Sequence, residues 1–162
     1  MAASSFDVVA GVDRQEVDNA LNQTRKELSQ RFDFKGTGAD VAWSGTAIAI
    51  SANSEDRVDA ALDVLKEKLV KRKVSLKALS HGQPKPASGG TYRLDVDLVS
   101  GIPEDKAKAM VKRIKASKLK VTPAIQGEQL RISSRSKDAL QEVQALLRAN
   151  DEGLPLRFTN YT

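Results

Sequence analysis

Apolar side chains recur along the chain at two spacings, one typical of helices and one typical of strands. Helical spacing marks four segments, each with an inward stripe and a polar opposite face. The stripes contain Val17, Ala20, Leu21, Thr24 and Leu28; Val58, Ala61, Leu62, Leu65 and Leu69; Ala107, Met110, Val111 and Ile114; and Leu140, Val143 and Leu147. Asp13, Ser54 and Ser136 stand just before three of them and predict N-caps, and Pro103 stands near the start of the other.

Alternation of apolar and polar residues predicts strands between these helices. The clearest alternation covers residues 92–98, where Tyr92 and every second residue after it are apolar. Further strands are predicted at residues 6–9, 31–36, 40–43, 47–50, 74–79, 119–125, 129–133 and 154–159. Residues 80–90 are rich in Gly and Pro, interrupt the pattern and predict a linker.

The two halves of the chain repeat one pattern. Residues 50–56 match residues 132–138 at a constant offset, so that Ser54 corresponds to Ser136, 82 positions later. Each half then has the order strand, helix, hairpin, helix, strand. This order predicts an α+β protein, a tandem duplication of two ferredoxin-like βαββαβ domains with antiparallel sheets and helices on one face.

Composition narrows the chemistry that the chain can perform. Aromatic residues make up 4% of the 162 residues, so the core has to be built from Leu, Val, Ile and Ala. There is no cysteine, which excludes disulfides and thiolate sites. The one histidine, His81, lies in the Gly/Pro-rich stretch, which is a poor place for a general base or a zinc ligand. We therefore expect no cofactor, no metal and no enzymatic activity.

Charge and hydropathy bear on partners and location. Neither a basic, apolar leader nor a stretch of about 20 apolar residues is present, so we expect a cytoplasmic protein without a membrane partner. The net charge is +5. All of it arises after residue 80, because the first 80 residues are balanced. This asymmetry predicts an anionic partner for the second half, although a solvated surface explains it equally well.

Neither a Walker-type Gly-Lys loop nor a Gly-x-Gly-x-x-Gly turn occurs, so a bound nucleotide would need another phosphate cradle. Helix starts at Ser54 and Ser136 are one candidate, since free N–H groups suit phosphate; N-capping alone explains these serines more simply. The third predicted helix is another, because Lys108, Lys112 and Lys115 form a stripe that Lys118 and Lys120 continue. A solvated helix face is the simpler interpretation of this stripe.

Two further patterns are candidates. In residues 31–36, Arg31, Asp33 and Lys35 alternate with Phe32 and Phe34, which would place cations and aromatics on opposite faces of a strand. Bases stack on sheet aromatics in single-strand RNA-binding modules, yet core packing is the simpler role for these rings.

The spacing Arg135-x-x-Asp138 is similar to the cyclic di-GMP inhibitory site of an unrelated enzyme class. A pattern with two fixed positions is weakly specific. The physical argument for this site is that an arginine can stack on guanine and donate two hydrogen bonds to it.

Eight short segments carry a family resemblance: residues 4–7, 13–20, 31–36, 54–57, 65–69, 74–77, 89–93 and 158–161. Taken together, these segments resemble the bacterial YajQ family over essentially the whole chain. The resemblance implies two ferredoxin-like domains that exchange their N-terminal strands. Domain one would span residues 11–98, with strand 91–98 after the linker, and domain two would combine 1–10 with 99–162.

The resemblance also implies a function. Family members are described as nucleotide-binding, some as cyclic di-GMP receptors that act with a transcription factor, and purine nucleotides such as GTP and ATP and tRNA are associated with them. We expect a non-enzymatic nucleotide-binding protein. The alternatives are an RNA- or tRNA-binding module that uses the basic second half and an interaction adaptor without a small ligand. The candidate ligand-binding residues are Arg31, Lys35, Lys108, Lys112, Lys115, Arg135 and Asp138.

Overall fold

A computed structural model describes residues 3–162, and the four predicted helices are present. They are α1 (Arg14–Gln30), α2 (Glu55–Lys71), α3 (Glu104–Ala116) and α4 (Lys137–Ala149). The predicted caps are confirmed: the side chains of Asp13, Ser54 and Ser136 accept from a backbone N–H in the first turn of α1, α2 and α4. None of these helices is long and apolar enough to cross a membrane.

Nine strands and three short 3-10 segments complete the described chain. The strands are β1 (Ser4–Ala10), β2 (Asp40–Ser44), β3 (Ala47–Ala52), β4 (Leu79–Ser80), β5 (Lys85–Ala87), β6 (Thr91–Leu98), β7 (Thr122–Gln126), β8 (Gln129–Ser134) and β9 (Leu156–Thr159). The 3-10 segments are Phe32–Phe34, Leu76–Ala78 and Ser88–Gly90.

Contacts divide the chain into two compact units. The central unit is Val12–Val99, and the terminal unit joins the chain up to Gly11 with Ser100–Thr162. The central sheet has the strand order β2-β3-β6-β4, with β5 also paired to β6. Alternate residues of β3, Ile48 and Ile50, point into a core that α1 and α2 cover.

The terminal unit has a four-stranded antiparallel sheet in the order β7-β8-β1-β9. Phe6 and Val8 of β1 are fully buried, as are Leu130 and Ile132 of β8 and Met110 of α3. In both sheets, pairing follows the repeat: Asp40 opposes Ser51 in β2–β3, and Thr122 opposes Ser133 at the same offset in β7–β8. The predicted fold class, a duplicated ferredoxin-like α+β protein, is confirmed.

The first strand of each repeat lies in the sheet of the other repeat. β1 precedes α1 in sequence, yet it pairs with β8 and β9. β6 precedes α3, yet it pairs with β3 and β4. Each sheet thus has the ferredoxin-like order with one exchanged strand. The side chains of β1 that complete the terminal core come from the opposite end of the chain, so neither half of the sequence could bury its core alone.

The strand predicted for residues 31–36 is wrong. Phe32–Phe34 is a 3-10 turn, in which Phe34 is buried and Phe32 is 88% exposed. A strand would place both rings on one face, whereas a turn of three residues separates them. The Arg31 guanidinium closes this turn by binding Asp33, two residues away, at 2.8 Å, and Gly36 with φ +74° follows it.

The chain from Val74 to Gly90 also differs from its prediction. The strand expected over 74–79 is a 3-10 turn followed by the two-residue β4, because Ser75 caps that turn by accepting from Lys77 N–H. The expected linker 80–90 contains β5, which pairs with Thr91–Leu98. Pro86 is tolerated there because β5 is an edge strand. The strand predicted from residue 119 begins at Thr122.

Candidate functional site

An open cavity of about 490 Å³ lies in the terminal unit at the start of α4. Lys120, which precedes β7, and Arg135, which joins β8 to α4, bring two positive charges to it. We call this cavity the corner pocket. The residues that line it are Ala3, Lys120, Thr122, Ser133, Ser134, Arg135 and Ser136.

The buried hydroxyl of Ser134 holds the two charged segments together. Its Oγ donates to the carbonyl oxygen of Lys120 at 2.6 Å and accepts from the backbone N–H of Ser136 at 3.0 Å. Ser134 is 8% exposed, so these bonds form with little competition from water. Because the same hydroxyl anchors Lys120, two residues before β7, and Ser136, the residue before α4, Lys120 and Arg135 border one cavity.

The electrostatics of the corner pocket favour an anion. Both cations are exposed, and neither has a hydrogen-bond or ion-pair partner among residues 3–162. Ser136 Oγ accepts from the N–H of Ala139 at 3.1 Å. The N–H groups of Lys137 and Asp138 have no partner within the helix, as at any helix start, and add positive potential.

The repeat supplies an internal comparison. At the start of α2, the positions equivalent to Lys120 and Arg135 are held by Gly38 and Asn53. That helix start is capped in the same way, with Ser54 Oγ accepting from Arg57 N–H at 3.2 Å. The two helix starts therefore share a cap, and the cations Lys120 and Arg135 have no counterpart at the equivalent positions of the central unit.

Arg31 and Lys35 lie in the central unit, at the 3-10 turn. The Arg31 guanidinium donates to Asp33 at 2.8 and 3.0 Å and to Glu27 at 3.1 Å. Hydrogen bonding to Arg31 lowers the pKa of Asp33, and a hydrogen bond from Lys68 is the main cause that lowers the pKa of Glu27. Arg31 is thus neutralised within the fold, and Lys35 is an exposed cation without a partner in the described chain.

The predicted basic stripe follows the exposed face of α3. Lys108 is paired with Glu104 at 3.1 Å. Lys112 and Lys115 are exposed and have no ion partner within the described range. Lys120 follows α3 in the chain, but no residue of the stripe on α3 lines the corner pocket.

The seven predicted ligand residues are divided between the two units. Arg31 and Lys35 lie in the central unit, Lys108, Lys112 and Lys115 lie along α3, and Arg135 and Asp138 lie at the start of α4. Only Arg135 lines the corner pocket. Asp138 is exposed in the first turn of α4, outside the lining.

Sequence reasoning missed Thr122, Ser133 and Ser134 as lining residues and treated Lys120 only as the end of the α3 stripe. The repeat carried a usable signal, since it aligns Lys120 and Arg135 with two uncharged residues, Gly38 and Asn53, in the first half. Over residues 3–162, no group of three or more His, Asp or Glu side chains is arranged to hold a metal ion.

Comparison with known proteins gives one consistent result. Residues 4–162 match the model of a family described as nucleotide-binding protein YajQ-like. A nucleotide-binding protein of Parafrankia sp. is 54% identical over 162 residues, and one of Streptomyces coelicolor is 52% identical over 162 residues. A nucleotide-binding protein of Acidothermus cellulolyticus is 56% identical over 163 residues. Each alignment covers 99% of this chain and 99% of the relative.

Proposed function

The chain belongs to the YajQ-like family of nucleotide-binding proteins, and on that premise we propose that it binds a nucleotide whose phosphate occupies the corner pocket. The observation that carries this proposal is the convergence of Lys120 and Arg135, both unpaired, on one cavity. A phosphate brings one to two negative charges and several acceptor oxygens. Two cations with five or more N–H donors complement it, and the guanidinium can bind two of its oxygens at once.

The helix start contributes the remaining donors. The backbone N–H groups of Lys137 and Asp138 have no helical partner, and phosphate is a common ligand of such groups. Thr122 and Ser133, which also line the corner pocket, each carry a hydroxyl group. The exposed carboxylate of Asp138 lies in the first turn of α4, outside the pocket lining, where it stabilises the helix dipole.

Cyclic di-GMP is the specific ligand that we propose, with GTP and ATP as the other purine nucleotides to compare. Its two phosphates need more than one cation, and Lys118 is a second exposed lysine two residues before Lys120. A ligand favours the conformation of a protein that it binds more tightly. Nucleotide binding would therefore change the surface that the protein offers to a partner such as a transcription factor.

The proposed activity is binding without turnover. The described carboxylates with clearly shifted pKa values, Asp7, Glu27 and Asp33, are all held ionised by arginine or lysine partners. None of them lines the corner pocket. Incubation of the protein with GTP, ATP or cyclic di-GMP should leave each nucleotide intact by chromatography. Stoichiometric release of a hydrolysis product would contradict this part of the proposal.

RNA or tRNA binding is the second candidate function, favoured by the unpaired Lys112 and Lys115 on α3. A helix face with two free lysines can follow a phosphate backbone, and its affinity would fall steeply with salt. A single nucleotide in the corner pocket releases few counterions. The slope of affinity against salt concentration therefore separates the two candidates.

Calorimetry with cyclic di-GMP, GTP, ATP and a short RNA at two salt concentrations tests the proposal. We expect Lys120→Ala and Arg135→Ala each to weaken nucleotide binding about tenfold, since a hydrogen bond to a charged group contributes about 1.5–3 kcal/mol. Lys35→Ala is the matched control, because it removes an exposed unpaired lysine from the central unit.

Three results would change the assignment. Unaltered binding by both corner-pocket variants would overturn the location. A loss of affinity on Arg31/Lys35 double charge reversal, with the corner variants unchanged, would move the site to the 3-10 turn. No binding of any nucleotide at millimolar concentration would overturn nucleotide binding and favour an adaptor without a small ligand.

A further inference from the structure

The last residues of the chain pair with β1 through a bulge. Asp7 opposes Thr159 in β9, whereas Ser5 exchanges both backbone hydrogen bonds with Thr162, at 2.9 and 3.4 Å. Between these two pairs, β1 advances by two residues, from Asp7 to Ser5, whereas the final strand advances by three, from Thr159 to Thr162. Asn160 supplies the extra residue, with φ +55°, and its side-chain N–H donates to Asp7 at 2.9 Å.

This bulge decides which way Tyr161 points. In regular pairing Tyr161 would oppose Ser5 and share its face of the sheet, away from the helices. The extra residue turns it to the helix side, where its ring stacks on Phe6 with centroids 5.9 Å apart and planes 29° apart. Tyr161 remains 63% exposed, so one ring face is supported by the core and the other is open to solvent.

Tyr161 also borders a second cavity of about 270 Å³, which we call the side cleft. Phe6 and Leu140 form its apolar floor, and Gln141 and Gln144 project from α4 at its rim. Gln144 Nε2 donates to Tyr161 Oη at 3.1 Å and so fixes the ring. The Gln141 carboxamide is exposed and has no hydrogen-bond partner in the described chain.

The side cleft adjoins the corner pocket. Ala3 lines the corner pocket and Ser4 lines the side cleft, while Ser136 lines the former and Lys137 the latter. Each pair is consecutive in the chain, with Cα atoms about 3.8 Å apart. The two cavities thus meet where the chain enters β1 and where α4 begins.

We propose that the side cleft takes the base of the nucleotide, an inference that rests on the proposed binding of its phosphate in the corner pocket. Every base has a π-face that can stack on an exposed aromatic ring. A carboxamide offers both a donor and an acceptor to a base edge. The cleft volume of about 270 Å³ is slightly below the range for small-molecule sites, about 300–1,000 Å³, which suits one planar ring system rather than a whole nucleotide.

The two halves of the site make separable contributions. The corner pocket binds any phosphate ester through Lys120 and Arg135. The side cleft distinguishes a nucleotide from a sugar phosphate, through Tyr161 and Gln141. Lys137 lies between them, where its ammonium group can reach the sugar or the phosphate.

Ribose 5-phosphate and GMP are the probes that test this division, because they differ by the base. In the wild-type protein we expect GMP to bind about tenfold more tightly, within the range of base–aromatic stacking. Tyr161→Leu, which keeps an apolar side chain on Phe6, should abolish this difference and leave ribose 5-phosphate binding unchanged. Tyr161→Phe should retain it, and Lys120→Ala should weaken both ligands equally.

The outcomes separate this inference from the function on which it rests. Equal binding of GMP and ribose 5-phosphate by the wild type would overturn the side cleft as a base site and leave the corner pocket standing. Binding of neither ligand would overturn both. If Tyr161→Leu is unfolded by circular dichroism, saturation-transfer NMR on the wild type decides. Stronger transfer to the base proton than to the ribose protons supports the inference, and the reverse contradicts it.

Discussion

Asp7 on β1 lies directly opposite Arg131 on β8, and Arg131 Nε donates to Asp7 Oδ1 at 3.0 Å. The other carboxylate oxygen accepts from Asn160 at 2.9 Å and from Gln129 at 3.4 Å. Asp7 is 4% exposed, so this is a buried carboxylate with all its hydrogen bonds made. Since β1 is the exchanged strand, the pair joins the N-terminal strand to the sheet that receives it.

Asp7→Asn should destabilise the terminal unit by about 1–3 kcal/mol, because the carboxamide offers one acceptor oxygen to several donors. The measurement is urea unfolding followed by segment-resolved hydrogen exchange. Asp97→Asn provides the control, since Asp97 is an exposed residue of β6. Equal stability of the two variants would show that the buried carboxylate contributes nothing.

The same carboxylate predicts a pH dependence. Hydrogen bonding to Arg131 is the main cause that holds the pKa of Asp7 below its ordinary value, about 3.9. The folded-state pKa is therefore lower than the unfolded-state pKa. The contribution to stability is complete above the unfolded pKa and is lost as pH falls through the folded value.

Unfolding free energies at pH 7, 5, 4 and 3 check this sign. We expect wild-type stability to fall below about pH 5 and Asp7→Asn to fall less steeply over the same interval. A difference between the two proteins that stays constant from pH 7 to pH 3 would disprove the assignment. In the central unit, the stability of Glu27→Gln should likewise fall less steeply with decreasing pH than that of the wild type. The reason is that a hydrogen bond from Lys68 lowers the Glu27 pKa.

Asn160 combines a left-handed backbone conformation with a side-chain hydrogen bond to Asp7. Asn160→Gly should cost only the hydrogen bond, about 1 kcal/mol, because glycine adopts positive φ freely. Asn160→Ala should cost about 1–2 kcal/mol more, since a Cβ is strained there. Thermal unfolding of both variants is the measurement. The opposite ranking would show that the bulge is absent in solution.

We propose that the domains are residues 11–98 and residues 1–10 with 99–162. Deletion of residues 1–10 should then unfold the terminal unit selectively, because β9 loses its only partner strand, β8 loses one of its two, and the core loses Phe6 and Val8. Hydrogen exchange should show lost protection in 100–162 and retained protection in 12–99. Val96→Asp in β6 should give the reverse pattern. Loss of both units in either variant would reject these limits.

The helices could be predicted from sequence because their information is local. A capping residue and an apolar stripe at helical spacing specify α2 and α4 without reference to the rest of the chain. The turn at Phe32 could not be predicted in this way. Its alternating pattern matches a strand, and the competing interaction of Arg31 with Asp33 becomes visible only in three dimensions.

For the candidate site, too, local features could be predicted from sequence and long-range contacts could not. Residue type identified Arg135 and the lysines of α3 as possible phosphate ligands, since a cation is recognisable wherever it stands. That Arg135 borders the same cavity as Lys120 depends on contacts that are not local in sequence, such as the bond from Ser134 Oγ to the carbonyl of Lys120. Arg31 has the right charge, and only the structure shows it neutralised by Glu27 and Asp33.

The sequence by itself determined the four helices, the duplication at an offset of 82 and the excess of positive charge in the second half. The tertiary structure decided which sheet each first strand joins. β1 and β6 both alternate apolar and polar residues, and this pattern determines the face that a strand buries but not its partner. Strand pairing depends on contacts between residues that are far apart in the sequence. The same pairing brings β1 beside α4, where its first residues border the corner pocket and the side cleft.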